Sequence, residues 1–107
     1  MGVWLCRLLC FNRPNPVDLL GAMFIIEGIG KRLAGYWGLM IKEQLHLNDD
    51  QVSFFTYHGV ADENHFHKLE EALNHPSMNL EIAKRIAKTA KTTAKLYRIQ
   101  LEEIGNY

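Results

Sequence analysis

The fold is decided by the stretch at residues 54–65, which reads FFTYHGVADENH. Three of its polar residues, His58, Asp62 and His65, are separated by four and three positions. At about 100° per residue, this spacing places all three side chains within an arc of roughly 60° on one face of a helix. Apolar residues recur at helical spacing around them, so we predict a helix over residues 51–74.

Two more helices are predicted, one on either side. The first runs from about Pro16 to Leu45, where the chain stays rich in Leu, Ile, Met and Ala, and Gly28 and Gly30 predict a kink in it. The last runs to about Ile104. Each helix start has a residue suited to cap it: Asn15 for the first helix, Asp49 or Asp50 for the second, and Ser77 or Asn79 for the third. Since no strand pattern or repeat occurs, the sequence predicts an all-α fold of three helices joined by short turns.

Composition bounds the class of protein. The chain has 107 residues, 48% of them apolar, with 12 basic and 12 acidic side chains. These values exclude a disordered chain, and the lack of an apolar run near about twenty residues excludes a membrane-spanning helix. Zero net charge gives no general attraction to nucleic acid or acidic membranes. Arg7 interrupts the apolar stretch at the N-terminus, so a signal peptide is not expected there. No role is assigned to Cys6 and Cys10. We expect a cytoplasmic protein that acts on a small molecule.

The helix at residues 51–74 carries donor atoms suited to a metal. Two imidazoles and a carboxylate are a ligand set for iron, manganese or zinc. Glu27 follows the apolar run AMFII, so its carboxylate is expected to point into the bundle, where an unpaired charge is costly. Metal ligation would compensate that cost, and we predict Glu27, His58, Asp62 and His65 as ligands. The alternatives are a polar helix face with chance histidines, an ion pair between a buried Glu27 and Lys31, and a kinked helix that turns Glu27 towards solvent.

These residues resemble those of the haem-oxygenase-like diiron oxidases, the non-haem branch of a fold that also includes thiaminase-like proteins and pyrroloquinoline quinone synthase. The resemblance rests on GAMFIIEG at residues 21–28, followed by the stretch at residues 54–65, and extends over about residues 15–104. It implies that His58, Asp62 and His65 match the family's His-x3-Asp-x2-His pattern. It also implies that Glu27 matches the glutamate of an earlier helix.

The sequence departs from the family in one respect. Family members are longer, and their first core helix adds a Glu-x6-His pair that completes two iron sites, whereas no glutamate here is followed seven positions later by histidine. Residues 15–107 therefore resemble the C-terminal half of such a domain, a three-helix part of the bundle, and residues 1–14 stay unassigned. We expect a truncated form or a subunit that forms a homo-oligomer or needs a second polypeptide, with apolar surface exposed.

The resemblance implies an iron-containing redox enzyme that uses non-haem Fe²⁺ and O₂ as co-substrate on a small organic substrate. The four candidate ligands suffice for one iron site, held more weakly than in the complete family because the supporting helices are missing. Robust activity of this chain alone is not expected. Trp37, Tyr57 and Glu63 could line a pocket, although packing or solvent exposure is the more common role of such residues.

Two other site assignments are open. A ferritin-like di-iron bundle would use Glu43 and His46 together with Asp62 and His65, but Glu27 would lie about 24 Å from Glu43 along a straight helix, so both glutamates cannot serve one site. A metal-free thiaminase-like or quinone-synthase-like protein would instead use His58 and His65 as acid or base groups.

A non-enzymatic interaction module is the alternative from a different class. Five basic residues form one stripe of the last helix and could bind an acidic carrier protein or nucleic acid. Such a stripe is more typical of a solvated helix face, and no aromatic residues interleave for base stacking. The stripe consists of Lys84, Lys88, Lys91, Lys95 and Arg98.

Overall fold

The computed structural model describes residues 16–106, and the regular elements in this range are all helical. Helix α1 (Leu19–Ile29) continues through a π-helical turn (Gly30–Ala34) into α2 (Gly35–Leu45). A short 3₁₀ turn (Asp50–Val52) leads into α3 (Ser53–Leu73), and α4 (Leu80–Glu102) follows. No strand occurs between residues 16 and 106. The predicted all-α fold is confirmed, with the first long segment divided into α1 and α2.

The π-helical turn begins at Gly30, one of the two glycines that predict a kink. A π turn closes hydrogen bonds between residues five apart, so it holds one more residue than an α-helical turn. The side chains of α2 therefore point in other directions than they would if α1 continued as a regular α-helix. Gly30 and Ala34 are the buried residues of this turn.

The helix starts differ in part from the predicted ones. Residues 16–18 form a turn in which the Leu19 N–H donates to the Pro16 carbonyl at 3.0 Å, so α1 begins three residues later than expected. The predicted cap Asn15 lies outside the described residues. The Asn79 side chain accepts a hydrogen bond from the Ile82 N–H at 2.9 Å and caps α4, as predicted.

Asp49 takes the N-cap position of the 3₁₀ turn, as one of the two predicted caps, but its side chain accepts no capping hydrogen bond, and the side chain that caps this start is that of Asn48. The Asn48 N–H donates to Gln51 Oε1 at 2.9 Å, and the Gln51 N–H donates to Asn48 Oδ1 at 3.0 Å. This reciprocal pair has the form of a capping box. The Asp49 carboxylate is used elsewhere, since Lys42 Nζ lies 2.5 Å from its Oδ1.

The chain divides into two compact units. The unit Ile26–Asn74 contains the end of α1, the π turn, α2 and α3. In it, Gly38 packs against Phe55, and Gly59 lies against the backbone of Gly35, so α2 and α3 approach closely where side chains are smallest.

The described part of the other unit comprises residues 16–25 and 75–106. Gly21 lies so close to the Ile86 carbonyl that a Cβ at this position would overlap it. Arg85 Nη2 is 2.8 Å from Oδ1 of the buried Asp18. This ion pair joins the segment before α1 to α4, and no feature of the sequence pattern pointed to it.

Large apolar side chains are exposed, as expected. On α2 and α3 they reach exposed fractions between 61% and 70% at Tyr36, Leu39, Phe54, Tyr57 and Val60. Oligomerisation through such a surface stays a prediction. Among the helices within residues 16–106, none combines the length and the apolar character that crossing a bilayer requires.

Helix α2 ends at His46, which adopts a left-handed conformation with φ 54° and ψ 44°. For a residue with a Cβ, this backbone conformation costs roughly 1–2 kcal/mol, whereas glycine adopts it freely. We expect His46→Gly to raise the free energy of unfolding by about 1 kcal/mol in urea titrations followed by circular dichroism. His67→Gly, at an exposed position inside α3, should lower it by a similar amount. Equal effects of the two substitutions would contradict this assignment of His46.

Candidate metal centre

Glu27, Asp62 and His65 come together within the unit Ile26–Asn74. Glu27 lies near the end of α1, and the other two residues lie one turn apart on α3. One ligand atom from each side chain lies within 4.8 Å of the others. Three of the four residues predicted as ligands therefore form one cluster of two carboxylates and one imidazole.

His65 Nδ1 faces both carboxylates of the cluster. It lies 3.1 Å from Glu27 Oε2 and 3.3 Å from Asp62 Oδ1. The side chains of Asp62 and Glu27 are 9% and 18% exposed, whereas that of His65 is 50% exposed. The carboxylates are thus withdrawn from water, and the imidazole leaves one side of the cluster open to solvent.

Gly30 makes the room that the Asp62 carboxylate occupies. A Cβ built on Gly30 would overlap Asp62 Oδ2, so any other residue would displace this carboxylate. The sequence pattern suggested only a kink at Gly30. The useful signal was its spacing, because a glycine three residues after Glu27 lies on the same helix face as that carboxylate.

The environment of Glu27 disfavours its charged form. Burial is the largest cause that raises the pKa of Glu27, the Asp62 carboxylate raises it further, and His65 partly opposes the shift. Glu27 Oε2 is buried and accepts no well-aligned hydrogen bond from a described residue, although His65 Nδ1 is 3.1 Å away. Two adjacent carboxylates with little water are costly unless a cation compensates them.

His58 lies outside the cluster. Its Nδ1 is 2.7 Å from the Phe54 carbonyl, and its ring lies 4.2 Å from the Phe54 ring and 5.3 Å from the Tyr57 ring. Since a carbonyl only accepts, His58 Nδ1 is the donor, and in the neutral imidazole the lone pair is then on Nε2. His58 keeps its position one turn before Asp62 on α3.

Neither the ion pair between Glu27 and Lys31 nor the ferritin-like di-iron site forms among the residues that the structure describes. Lys31, which could have paired with Glu27, places its Nζ 4.9 Å from the centre of the Phe66 ring. Glu43 and His46 are exposed at the end of α2 and do not join the cluster. Among the candidate pocket residues, Trp37 is half-buried, whereas Tyr57 and Glu63 are exposed.

The chain matches a known protein family over most of its length. The model of a family described as "iron-containing redox enzyme" matches residues 2–98 of the chain. No significant match is found among curated proteins or among solved structures. The matched range contains every residue of the cluster and also residues 2–14, which the sequence pattern left unassigned.

Replacing Gly30 tests whether Asp62 needs this space. We expect Gly30→Ala to weaken Fe²⁺ binding at least roughly tenfold in anaerobic titrations, because the added methyl group displaces a carboxylate that orients the site. Gly35→Ala is the matched control, since no atom lies within 4 Å of a Cβ at Gly35. The same Fe²⁺ affinity in both variants would show that the position of Asp62 does not matter for binding.

The raised pKa of Glu27 predicts a pH-dependent stability in the metal-free protein. A carboxyl group with a raised pKa in the folded state contributes stability below its unfolded pKa, and that contribution is lost as the pH rises through the folded pKa. Glu27→Gln should therefore gain stability relative to the wild type between pH 4 and pH 7, measured by urea unfolding in the presence of a chelator.

Glu63→Gln on the exposed side of α3 is the control for this measurement and should show no such gain. If Glu27→Gln were instead less stable than the wild type at pH 7 by about 1 kcal/mol or more, the carboxylate would serve mainly as an ion-pair partner of His65.

Proposed function

We propose that this chain, which belongs to the family of iron-containing redox enzymes, binds Fe²⁺ through Glu27, Asp62 and His65. The observation that carries the proposal is the convergence of these three side chains within 4.8 Å. These residues are three of the four that the resemblance to haem-oxygenase-like diiron oxidases selects from the sequence, the fourth being His58. Membership of the family implies iron, and the cluster supplies a place for it.

The chemistry of the donors fits a divalent transition metal. Carboxylate oxygens and imidazole nitrogens are ligands of Fe²⁺, and two ionised carboxylates balance the charge of one such ion. The buried Glu27 Oε2, which lacks a well-aligned hydrogen bond from a described residue, would gain a partner. The metal would also remove the cost of holding Glu27 and Asp62 together away from water.

His58 is the fourth ligand that we propose. Its Nδ1–H donates to the Phe54 carbonyl at 2.7 Å, and metal-binding histidines commonly donate their second ring nitrogen in this way. This hydrogen bond fixes the tautomer in which Nε2 carries the lone pair. His58 lies on the same face of α3 as Asp62 and His65, whereas the other histidine of this helix, His67, lies on the far side.

Bound Fe²⁺ would supply the redox chemistry by which O₂ is used to oxidise a small organic substrate. The protein groups have separate roles in this proposal. Glu27 and Asp62 fix the ion and neutralise its charge, and Gly30 holds the Asp62 carboxylate in place by leaving room for it. The half-exposed His65 marks the side from which a substrate would approach. With no Glu-x6-His pair in the sequence, the proposal assigns one iron to this ligand set.

Anaerobic Fe²⁺ titration tests the proposal. We expect the wild type to bind one ion per chain, and Asp62→Asn and His65→Ala to weaken binding at least roughly tenfold. Binding should also stabilise the fold by about 2.7 kcal/mol at an Fe²⁺ concentration one hundred times the Kd. His58→Ala should weaken binding as well, since it removes the proposed fourth ligand.

His67→Ala is the matched control, because His67 lies on the far side of α3 and is exposed beside Glu71. It should bind Fe²⁺ as the wild type does. A wild type that binds no Fe²⁺, or a His67→Ala variant that loses as much affinity as His65→Ala, would overturn the metal assignment and favour the metal-free alternative.

A further inference from the structure

A hydrogen-bonded histidine and serine lie in the turn between α3 and α4, and neither residue belongs to the metal cluster. His75 Nδ1 lies 2.6 Å from Ser77 Oγ, and the Ser77 N–H donates to the same nitrogen at 3.1 Å. Both side chains are exposed to solvent. A hydroxyl within hydrogen-bonding distance of a base is the arrangement from which nucleophilic catalysis by serine begins.

The sequence of the turn explains this arrangement. Pro76 has a restricted φ and is favoured at the second position of a β-turn, which the Met78 N–H closes by donating to the His75 carbonyl at 2.9 Å. Ser77 is one of the two residues predicted to cap α4, but the side chain of Asn79 takes that role. The Ser77 hydroxyl is therefore left to bond His75.

The two hydrogen bonds fix the direction in which the hydroxyl proton points. A backbone N–H only donates, so His75 Nδ1 carries the lone pair, and in the neutral imidazole the hydrogen is on Nε2. Since Nδ1 has no hydrogen to give, the Ser77 hydroxyl donates to it. His75 is thereby placed to accept this proton when Ser77 Oγ attacks an electrophile.

The charge along this part of the chain favours an uncharged acyl donor over a phosphoryl donor. Residues 69–83 contain three glutamates and no Lys or Arg, and one of the three, Glu81, lies in the first turn of α4. Phosphoryl transfer relies on cations that neutralise the phosphate, and none is supplied by this segment. An activated ester carries no charge, so attack on its carbonyl carbon depends mainly on a base for the hydroxyl proton.

We propose that Ser77 is an acylation site, with activated acyl esters as its donors and His75 as the general base. Ser77 Oγ forms a bond to the carbonyl carbon of the donor while the hydroxyl proton moves to His75 Nδ1. The bond from that carbon to the leaving oxygen then breaks, and the imidazolium returns its proton to this oxygen, directly or through water. The products are an O-acyl serine and an alcohol, and no oxidant or reductant is consumed.

The test is acetylation of the full chain by p-nitrophenyl acetate, followed by mass spectrometry of its peptides. A chelator is present, so the outcome does not depend on the proposed metal site. Ser53 is the internal control, because it is the other serine of the chain, is also exposed, and bonds no imidazole within residues 16–106. We expect Ser77 to be acetylated at least roughly tenfold faster than Ser53. The reaction at Ser77 should be slower in D₂O, because the hydroxyl proton moves as the bond forms.

His75→Asn removes the base and keeps the turn, since an asparagine side chain accepts a hydrogen bond from the N–H two residues later. This variant should acetylate Ser77 no faster than Ser53. His67→Asn, which changes an exposed histidine of α3, should leave the ratio of the two rates as in the wild type. Equal acetylation of the two serines in the wild type, or an unchanged ratio in His75→Asn, would overturn the proposal. Equal rates at Ser77 in water and D₂O would overturn the role of His75 as the base.

Discussion

The crowding of two carboxylates between α1 and α3 is the constraint on which the rest of the site depends. Asp62 reaches its position only because Gly30 has no side chain, and Glu27 lies within 4.8 Å of it on the same helix as that glycine. Both groups are largely shielded from water, and burial together with the Asp62 carboxylate disfavours the charged form of Glu27. Holding both carboxylates away from water without a compensating cation is expected to lower the free energy of unfolding.

The positions of the helices along the chain could be predicted from the sequence, because they depend on patterns that are local to each segment. Apolar spacing located three long helical segments, and Asn79 was correctly proposed as a cap. Asn48 was missed because two aspartates follow it and are equally good caps by type. Only the structure shows that Asp49 bonds Lys42 while Asn48 and Gln51 cap each other.

The convergence of three of the proposed ligands was predictable to a similar degree, whereas metal binding by them stays a prediction. Helical spacing on α3 and the isolated position of Glu27 in an apolar run were enough to bring Glu27, Asp62 and His65 together. Spacing alone could not show that His58 donates to Phe54, since side-chain direction depends on local hydrogen-bond partners. It also could not show that Lys31 lies over Phe66, because that contact joins residues 35 positions apart on two different helical segments.

The π-helical turn at Gly30–Ala34 lets this segment of the chain hold one residue more than a regular α-helix of the same span. Loss of one residue there would leave a regular α-helix in which Glu27, Gly35 and Gly38 keep nearly the same relative directions. Gain of a residue would rotate Glu27 by about 100° relative to Gly35 and Gly38, and the carboxylate and the glycine contacts with α3 could then no longer be satisfied together. A one-residue deletion should accordingly be tolerated between residues 30 and 34, whereas a one-residue insertion there should be selected against.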